Sequence, residues 1–137
     1  MIEKLLQDLA NSRIKESKVL LNNNCFNGAY YLAGYAIECA LKACIAKNIK
    51  ASEIPDKKFI NDIFTHDVKS LVKLAGLEVY RRIKESTDPD FSINWAIVKD
   101  WNEGARYKEW PKQEATQIYE AIMDKKGGIL LWIQQYW

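Results

Sequence analysis

Apolar residues recur mostly at helical spacing along the chain, and β-branched alternation never lasts four residues. The spacing predicts a first helix over residues 2–21 and a second, more apolar helix over residues 26–48, joined by an asparagine-rich turn. A loop containing Pro55 is predicted next, because proline interrupts helices. Later helices are predicted to begin at Thr65, as an N-cap residue, and at Ser92. Between them, "LEVYRRIKE" predicts a short helix and "STDPDF" a turn.

The last long helix is predicted to run from Pro111, which suits a first helical turn, to about Gln135. Gly127 and Gly128 interrupt this helix and predict a kink. The segment "NEGARYKEWP" before it is predicted to be a break. Residues 1–137 are therefore expected to form one all-α domain, an antiparallel up-and-down bundle of about four to six helices.

The most apolar stretch, "GAYYLAGYAIECALKACIAK" over residues 28–47, contains one ionisable pair, Glu38 and Lys42. A membrane-spanning helix needs roughly 20 apolar residues, and each charge near its middle would cost a few kcal/mol. The charged N-terminus also lacks the apolar core of a signal peptide. We therefore expect a soluble, cytoplasmic protein that has no membrane partner.

Composition excludes several classes of protein. With 137 residues, 48% of them hydrophobic, the chain can build a core and does not have the composition of a disordered segment. A net charge of +2 gives no bulk indication of nucleic-acid binding, although a local basic patch stays open. Three cysteines without a CxxC pair, and a single histidine, argue against a zinc site, so no metal or cofactor is expected.

A helical wheel sorts residues 28–47 into two faces. One face is a stripe of small residues along which another helix can pack closely: Ala29, Ala33, Ala36, Ala40 and Ala43. The opposite face carries two phenols and two charges at i, i+4 spacing: Tyr31, Tyr35, Glu38 and Lys42. Two interpretations stay open. This face points to solvent with an ordinary surface ion pair, or it lines a groove or a subunit interface.

The apolar stripe of the first helix is interrupted by Ser12, Arg13 and Glu16. Polar groups within an apolar stripe must be paired or hydrated. The interruption therefore marks either a site or a helix with two imperfect apolar stripes, and the pattern alone does not separate these interpretations.

Three segments resemble the HEPN family, small helical bundles named for higher eukaryotes and prokaryotes nucleotide-binding. They are "AYYLAGYAIECALKACIAK", "THDVKSLVKLAGL", and "WNEGARYKEW" followed by a helix ending in "LLWIQQYW". The resemblance spans essentially the whole chain and implies an α-helical up-and-down bundle, often a homodimer. Many members of that family are RNases of toxin–antitoxin, phage-defence or CRISPR-linked systems. Others bind nucleotide or pair with a minimal nucleotidyltransferase.

Catalytic HEPN proteins carry an arginine and, after four to six further residues, a histidine. The arginine stabilises charge on the phosphate and the histidine transfers a proton. Neither the positions before His66 nor those after Arg106 complete this motif: Phe59, Ile60, Asn61, Pro111, Lys112 and Gln113. Its absence argues against RNase activity. The resemblance at Glu38 and Lys42 is partial, because Ala43 stands where the family often has arginine, and it implies only that this pair lines a cleft.

Two residues remain candidates for catalysis. His66, at a predicted helix start, is expected to be a neutral capping or packing residue, with proton transfer as the alternative. Arg106 precedes the last helix, where it either contacts phosphate beside Tyr107 or pairs with Glu38. The pairing with Glu38 is slightly favoured.

We therefore expect a HEPN-like binding module without RNase activity, acting in a toxin–antitoxin or defence context. It would bind RNA, a nucleotide or a nucleotidyltransferase partner, and form a homodimer. The predicted binding residues are Tyr31, Tyr35, Glu38, Lys42, Arg106 and Tyr107. The alternatives are a metal-independent RNase with a variant site that uses Arg106 and His66, and a purely structural helical association protein.

Overall fold

The computed structural model describes residues 2–49, 54 and 56–137. These residues form eight α-helices, one 3₁₀ helix and no strand, which confirms the predicted all-α helical bundle. The two longest helices come first, α1 over Ile2–Asn22 and α2 over Phe26–Asn48, at almost the predicted bounds.

Shorter helices make up the rest of the described chain, and they outnumber the prediction because turns and caps divide them. They are α3 (Lys57–Asp62), α4 (Val68–Leu74), α5 (Glu78–Thr87), α6 (Pro89–Val98), the 3₁₀ helix η1 (Glu103–Tyr107), α7 (Lys112–Met123) and α8 (Ile129–Gln134). Helix α3 begins within the predicted loop, so that part of the prediction is wrong. Pro55, the predicted breaker, lies outside the described residues.

Helices α1 and α2 form an antiparallel hairpin along the alanine stripe of α2. All five alanines of the stripe are fully buried, as the wheel predicted. Ser17 of α1, also buried, donates a 2.7 Å hydrogen bond from its hydroxyl to the backbone oxygen of Ala29. Methyl groups at these positions let the helices approach closely, and larger side chains would force them apart.

The polar interruption of α1 is a paired, partly exposed edge of this hairpin. Arg13 donates a 2.8 Å hydrogen bond to Oε2 of Glu16, and Ser12 is exposed. The hydrogen bond with Glu16 is the main cause that raises the pKa of Arg13. Pairing and hydration therefore account for all three polar residues.

Helix α4 begins at Val68 and not at the predicted Thr65. The carboxylate of Asp67 accepts a 3.1 Å hydrogen bond from the backbone N–H of Ser70, which makes Asp67 the N-cap. A charged cap satisfies a free N–H and also complements the positive end of the helix dipole. The aspartate therefore sets the start of the helix.

Helix α6 begins before the predicted Ser92 for the same reason. Asp88 accepts a 3.2 Å hydrogen bond from the N–H of Phe91, and Pro89 occupies the first turn, where a proline is tolerated. The segment "STDPDF" is consequently the junction of α5 and α6, where Asp88 alone separates the two helices, so the turn is shorter than predicted.

The predicted last helix is divided into α7 and α8 by a corner at residues 124–128. Gly127 has a φ of 76°, and a Cβ there would lie 2.5 Å from the backbone N of Phe91. Asn94 of α6 donates 3.1 Å hydrogen bonds to the Gly127 carbonyl and to Asp124. Helix α7 ends at Met123, before the glycines, and Gly128 is the N-cap of α8, so the glycines belong to a corner between two helices and do not kink a continuous one.

The chain from Trp110 to Trp137 follows α2 from its first turn to its last. Trp110 donates its backbone N–H to Asn27 Oδ1 at 2.6 Å, and Lys47 Nζ donates to the Trp137 carbonyl at 3.4 Å. Helix α2 is thus the central element, against which α1, α4, η1, α7 and α8 pack. Among the described residues, no helix combines the length and apolarity needed to cross a membrane.

Candidate functional site

Glu38 lies at the centre of a polar cluster on the tyrosine-bearing face of α2. Its side chain is only 5% exposed, although a carboxylate is costly to bury unless it is paired. Its Oε2 accepts a 3.0 Å hydrogen bond from Lys42 Nζ and lies 2.9 Å from Nδ1 of His66. Its Oε1 is also buried and has no hydrogen-bond partner among the described residues. The interpretation of Glu38 and Lys42 as an ordinary surface pair is therefore wrong.

His66 reaches this cluster from the connection before α4. Its side chain is 38% exposed, and its Nε2 lies 3.4 Å from Oε2 of Glu103. The expected capping role is wrong, because Asp67 caps α4. The imidazole instead joins a buried carboxylate of α2 to an exposed carboxylate of η1.

Helix η1 presents Glu103 and Arg106 on the same side, because a 3₁₀ helix repeats about every three residues. The guanidinium of Arg106 lies 4.9 Å from the ring centre of Tyr107, whose side chain is 78% exposed. Interactions with Tyr107 and, more weakly, with Tyr31 raise the pKa of Arg106. The surface at η1 thus combines a permanent cation with an exposed aromatic ring. Arg106 does not pair with Glu38, so the slightly favoured prediction is wrong.

Trp101 closes the side of the cluster next to η1. Its indole lies over Gly34, where a Cβ would be 2.2 Å from Nε1, and its ring centre is 5.7 Å from that of Tyr31. Tyr31 in turn lies 5.9 Å from Tyr35, and burial is the main cause that raises the pKa of Tyr35. Trp101 Nε1 is buried without a hydrogen-bond partner among the described residues, like Glu38 Oε1.

Trp110 anchors the other end of η1 to α2. Its ring stacks on Tyr30 with centroids 3.6 Å apart, and its Nε1 donates a 2.8 Å hydrogen bond to the Ala105 carbonyl. With Trp101 on one side and Trp110 on the other, η1 is held against the first half of α2. Arg106 therefore projects from a segment that is fixed at both ends.

The predicted binding residues and both catalytic candidates fall into two groups of contacts: Lys42, Glu38 and His66 form one, and Tyr31, Tyr35, Arg106 and Tyr107 form the other. Glu103 of η1, which lies 3.4 Å from His66, relates the first group to the helix that carries Arg106. Sequence reasoning missed Glu103 and Trp101. Glu103 precedes Arg106 by three residues, a spacing that could have placed both on one side of a 3₁₀ turn. No spacing in the sequence indicates that Trp101 lies over Gly34, because that contact joins distant parts of the chain.

The cysteines do not contribute reactive groups to this cluster. Burial raises the pKa of Cys39 and of Cys44 to about 11, so both remain protonated thiols at neutral pH. Cys25 is exposed at the start of α2. No group of three metal-ligating side chains occurs within the part of the chain that the structure describes.

The geometry of the cluster suits two kinds of chemistry. An exposed guanidinium beside an exposed phenol can contact a phosphate while a base stacks on the ring. An imidazole held through Nδ1 by a buried carboxylate can transfer a proton through its other nitrogen. Comparison of the chain with family models, curated proteins and solved structures finds no match.

Proposed function

We propose that this chain is a HEPN-like binding module that takes single-stranded RNA at the surface formed by His66, Arg106 and Tyr107. The observation that carries the proposal is the pairing of an exposed cation with a 78% exposed ring on a segment anchored by two tryptophans. Base stacking and phosphate contact together are the usual means of binding single strands. The resemblance to HEPN proteins favours the same ligand class.

Fluorescence anisotropy with a fluorescein-labelled, mixed-sequence single-stranded RNA tests the proposal. Tyr107→Ala is expected to weaken binding about tenfold, since stacking contributes about 1–3 kcal/mol per base. Arg106→Gln is expected to weaken binding and to lower its salt dependence, because one phosphate contact is lost. Arg82→Gln is the matched control, because Arg82 is exposed on α5 and forms no ion pair within the described structure.

An equal loss of RNA affinity in Arg106→Gln and Arg82→Gln would show that binding depends on net charge alone. It would contradict the proposed location of the RNA-binding site. No binding of RNA by the wild type would contradict the proposal itself. In that case a free nucleotide or a nucleotidyltransferase partner becomes the occupant to test. A homodimer in a toxin–antitoxin or defence context is part of the proposal, and sedimentation velocity tests the oligomeric state.

A second candidate function is metal-independent RNA cleavage. It is favoured by one observation, the 2.9 Å contact between Nδ1 of His66 and the buried carboxylate of Glu38. A carboxylate in this position orients an imidazole for proton transfer. Arg106, on the neighbouring η1, would stabilise the charge on the phosphate.

Incubating the RNA with protein in EDTA separates the two candidates. Cleavage by the wild type that falls at least about 100-fold in both His66→Ala and Arg106→Ala would establish an enzyme. Cleavage that is absent, or equal in all variants as from a contaminant, leaves the binding module as the function.

A further inference from the structure

Two buried polar atoms beside the tyrosine-bearing face of α2 have no hydrogen-bond partner among the described residues. They are Oε1 of Glu38 and Nε1 of Trp101. The side chain of Glu38 is 5% exposed and Trp101 is 1% exposed, so bulk solvent does not reach either group. An unpaired buried polar group destabilises the folded chain, and native structures contain few of them. The two atoms therefore indicate a partner that the protein chain itself does not supply.

Helix α2 brings these two atoms close together. A Cβ at Gly34 would lie 2.2 Å from Nε1 of Trp101. Glu38 follows Gly34 by four residues, a spacing that makes their side-chain positions neighbours about 5–6 Å apart. Long side chains in a helix lean towards the preceding turn, so Glu38 extends towards Gly34 and the indole above it. Because the two atoms are not hydrogen-bonded to each other, their separation suits one small group between them.

The chemistry of the two atoms selects this group. An indole N–H only donates a hydrogen bond, and a carboxylate oxygen only accepts one. The bridging atom must therefore accept from Trp101 and donate to Glu38, and a water oxygen does both. A metal cation would face the positive end of the N–H bond, and an anion would face the carboxylate. A larger molecule that carries a hydroxyl group cannot reach two buried atoms without displacing the elements over them.

We propose that one internal water molecule bridges Trp101 and Glu38. A buried water typically makes two to four hydrogen bonds to polar groups that are otherwise unpaired, and two such groups are in place here. The bridge joins the two groups of contacts at the candidate site. Glu38 contacts Lys42 and His66 through its other oxygen, and Trp101 packs against Tyr31. The water thus positions the segment before η1 on α2, and neither the bridge nor its test depends on RNA binding.

A crystal structure of the wild-type protein, at a resolution that shows ordered water, tests the bridge directly. The expected result is a water peak at about 2.7–3.2 Å from both Nε1 of Trp101 and Oε1 of Glu38. A direct hydrogen bond between these two atoms would overturn the proposal. The absence of a peak, or electron density for a larger molecule, would overturn it as well.

NMR spectroscopy tests the same bridge in solution. The indole N–H of Trp101 is expected to show water NOE and ROE signals of opposite sign, which mark a water that stays bound while the protein tumbles. The indole signal is identified by its loss in Trp101→Phe. Trp110 is the internal control, because its Nε1 donates directly to the Ala105 carbonyl at 2.8 Å. Absence of the effect at Trp101, or an equal effect at Trp110, would overturn the bridge.

The variant Trp101→Phe separates the bridge from the packing of the ring. A phenyl ring still covers Gly34 but has no N–H, so the water keeps Glu38 as its single partner of the two. The water peak is expected to be lost in crystals of this variant. It is expected to remain in Trp110→Phe, which removes an indole N–H that has a protein partner. A water that stays in Trp101→Phe would show that other groups hold it and would overturn the bridge. If Trp101→Phe does not fold, the two wild-type measurements decide.

Discussion

At the scale of single residues, Gly34 determines how closely the segment before η1 approaches α2. The indole of Trp101 occupies the space that a side chain at this position would fill, and Trp101 is itself only 1% exposed. A buried ring has little room to move, because protein interiors are packed as densely as organic crystals. The glycine is therefore required by packing, not by its backbone conformation.

Gly34→Ala is expected to lower the free energy of unfolding by about 1–3 kcal/mol through overpacking. A loss of stability is informative here, because replacing glycine by alanine at an exposed helix position normally raises the free energy of unfolding by about 1 kcal/mol. Urea denaturation measures the effect. Gly28→Ala is the control, since its nearest neighbour is the flexible end of Leu20 at 3.0 Å. Equal stability of Gly34→Ala and wild type would contradict this packing.

At the scale of elements, aspartate caps decide where the short helices begin. Asp67 accepts hydrogen bonds from both the backbone N–H and the hydroxyl of Ser70, at 3.1 and 2.7 Å. Thr65 accepts only one, from the N–H of Asp67 at 3.2 Å. The choice between the two caps also determines the position of His66, which lies between them and outside the helix.

Asp67→Ala is expected to destabilise the protein by about 1 kcal/mol, the usual cost of removing a helix N-cap. Thr65→Ala removes a hydrogen bond outside the helix and is expected to cost less. Thermal melts followed by circular dichroism compare the two variants. If Thr65→Ala lost more stability than Asp67→Ala, α4 would begin earlier, at the cap that the sequence alone predicted.

At the scale of the whole molecule, the corner between α7 and α8 ties the last helices to α6. Asp124 accepts hydrogen bonds from the backbone N–H of Lys126 at 3.0 Å and from Asn94 at 3.1 Å. These two hydrogen bonds lower the pKa of Asp124 below its ordinary value, and the bond from Lys126 has the larger effect. The charged carboxylate is therefore more favourable in the folded than in the unfolded chain.

This shift predicts how stability depends on pH. The contribution of Asp124 is complete above the ordinary pKa of an aspartate and is lost as pH falls through the lower, folded-state pKa. Asp124→Asn is therefore expected to lose less stability than wild type between about pH 5 and pH 2. Melting temperatures of both proteins across this pH range measure the difference, and Glu109→Gln serves as a control for the removed charge. An unchanged acid dependence in Asp124→Asn would contradict the assignment.

The sequence by itself determined the features that depend on neighbouring residues along a helix. It predicted the buried alanine stripe of α2, the bounds of α1 and α2, and the i, i+4 pair of Glu38 and Lys42. Helical geometry repeats every few residues, so spacing alone specifies which side chains share a face.

Only the tertiary structure decided which distant residues meet and which become buried. His66 lies 28 positions from Glu38 along the chain, yet the two are in contact, and the burial of Glu38 depends on elements that pack over it. Glu103 joins the same cluster from η1. Contacts of this kind have no sequence period, because they are set by how whole elements pack, and that packing turned a surface-type ion pair into a buried, histidine-linked cluster.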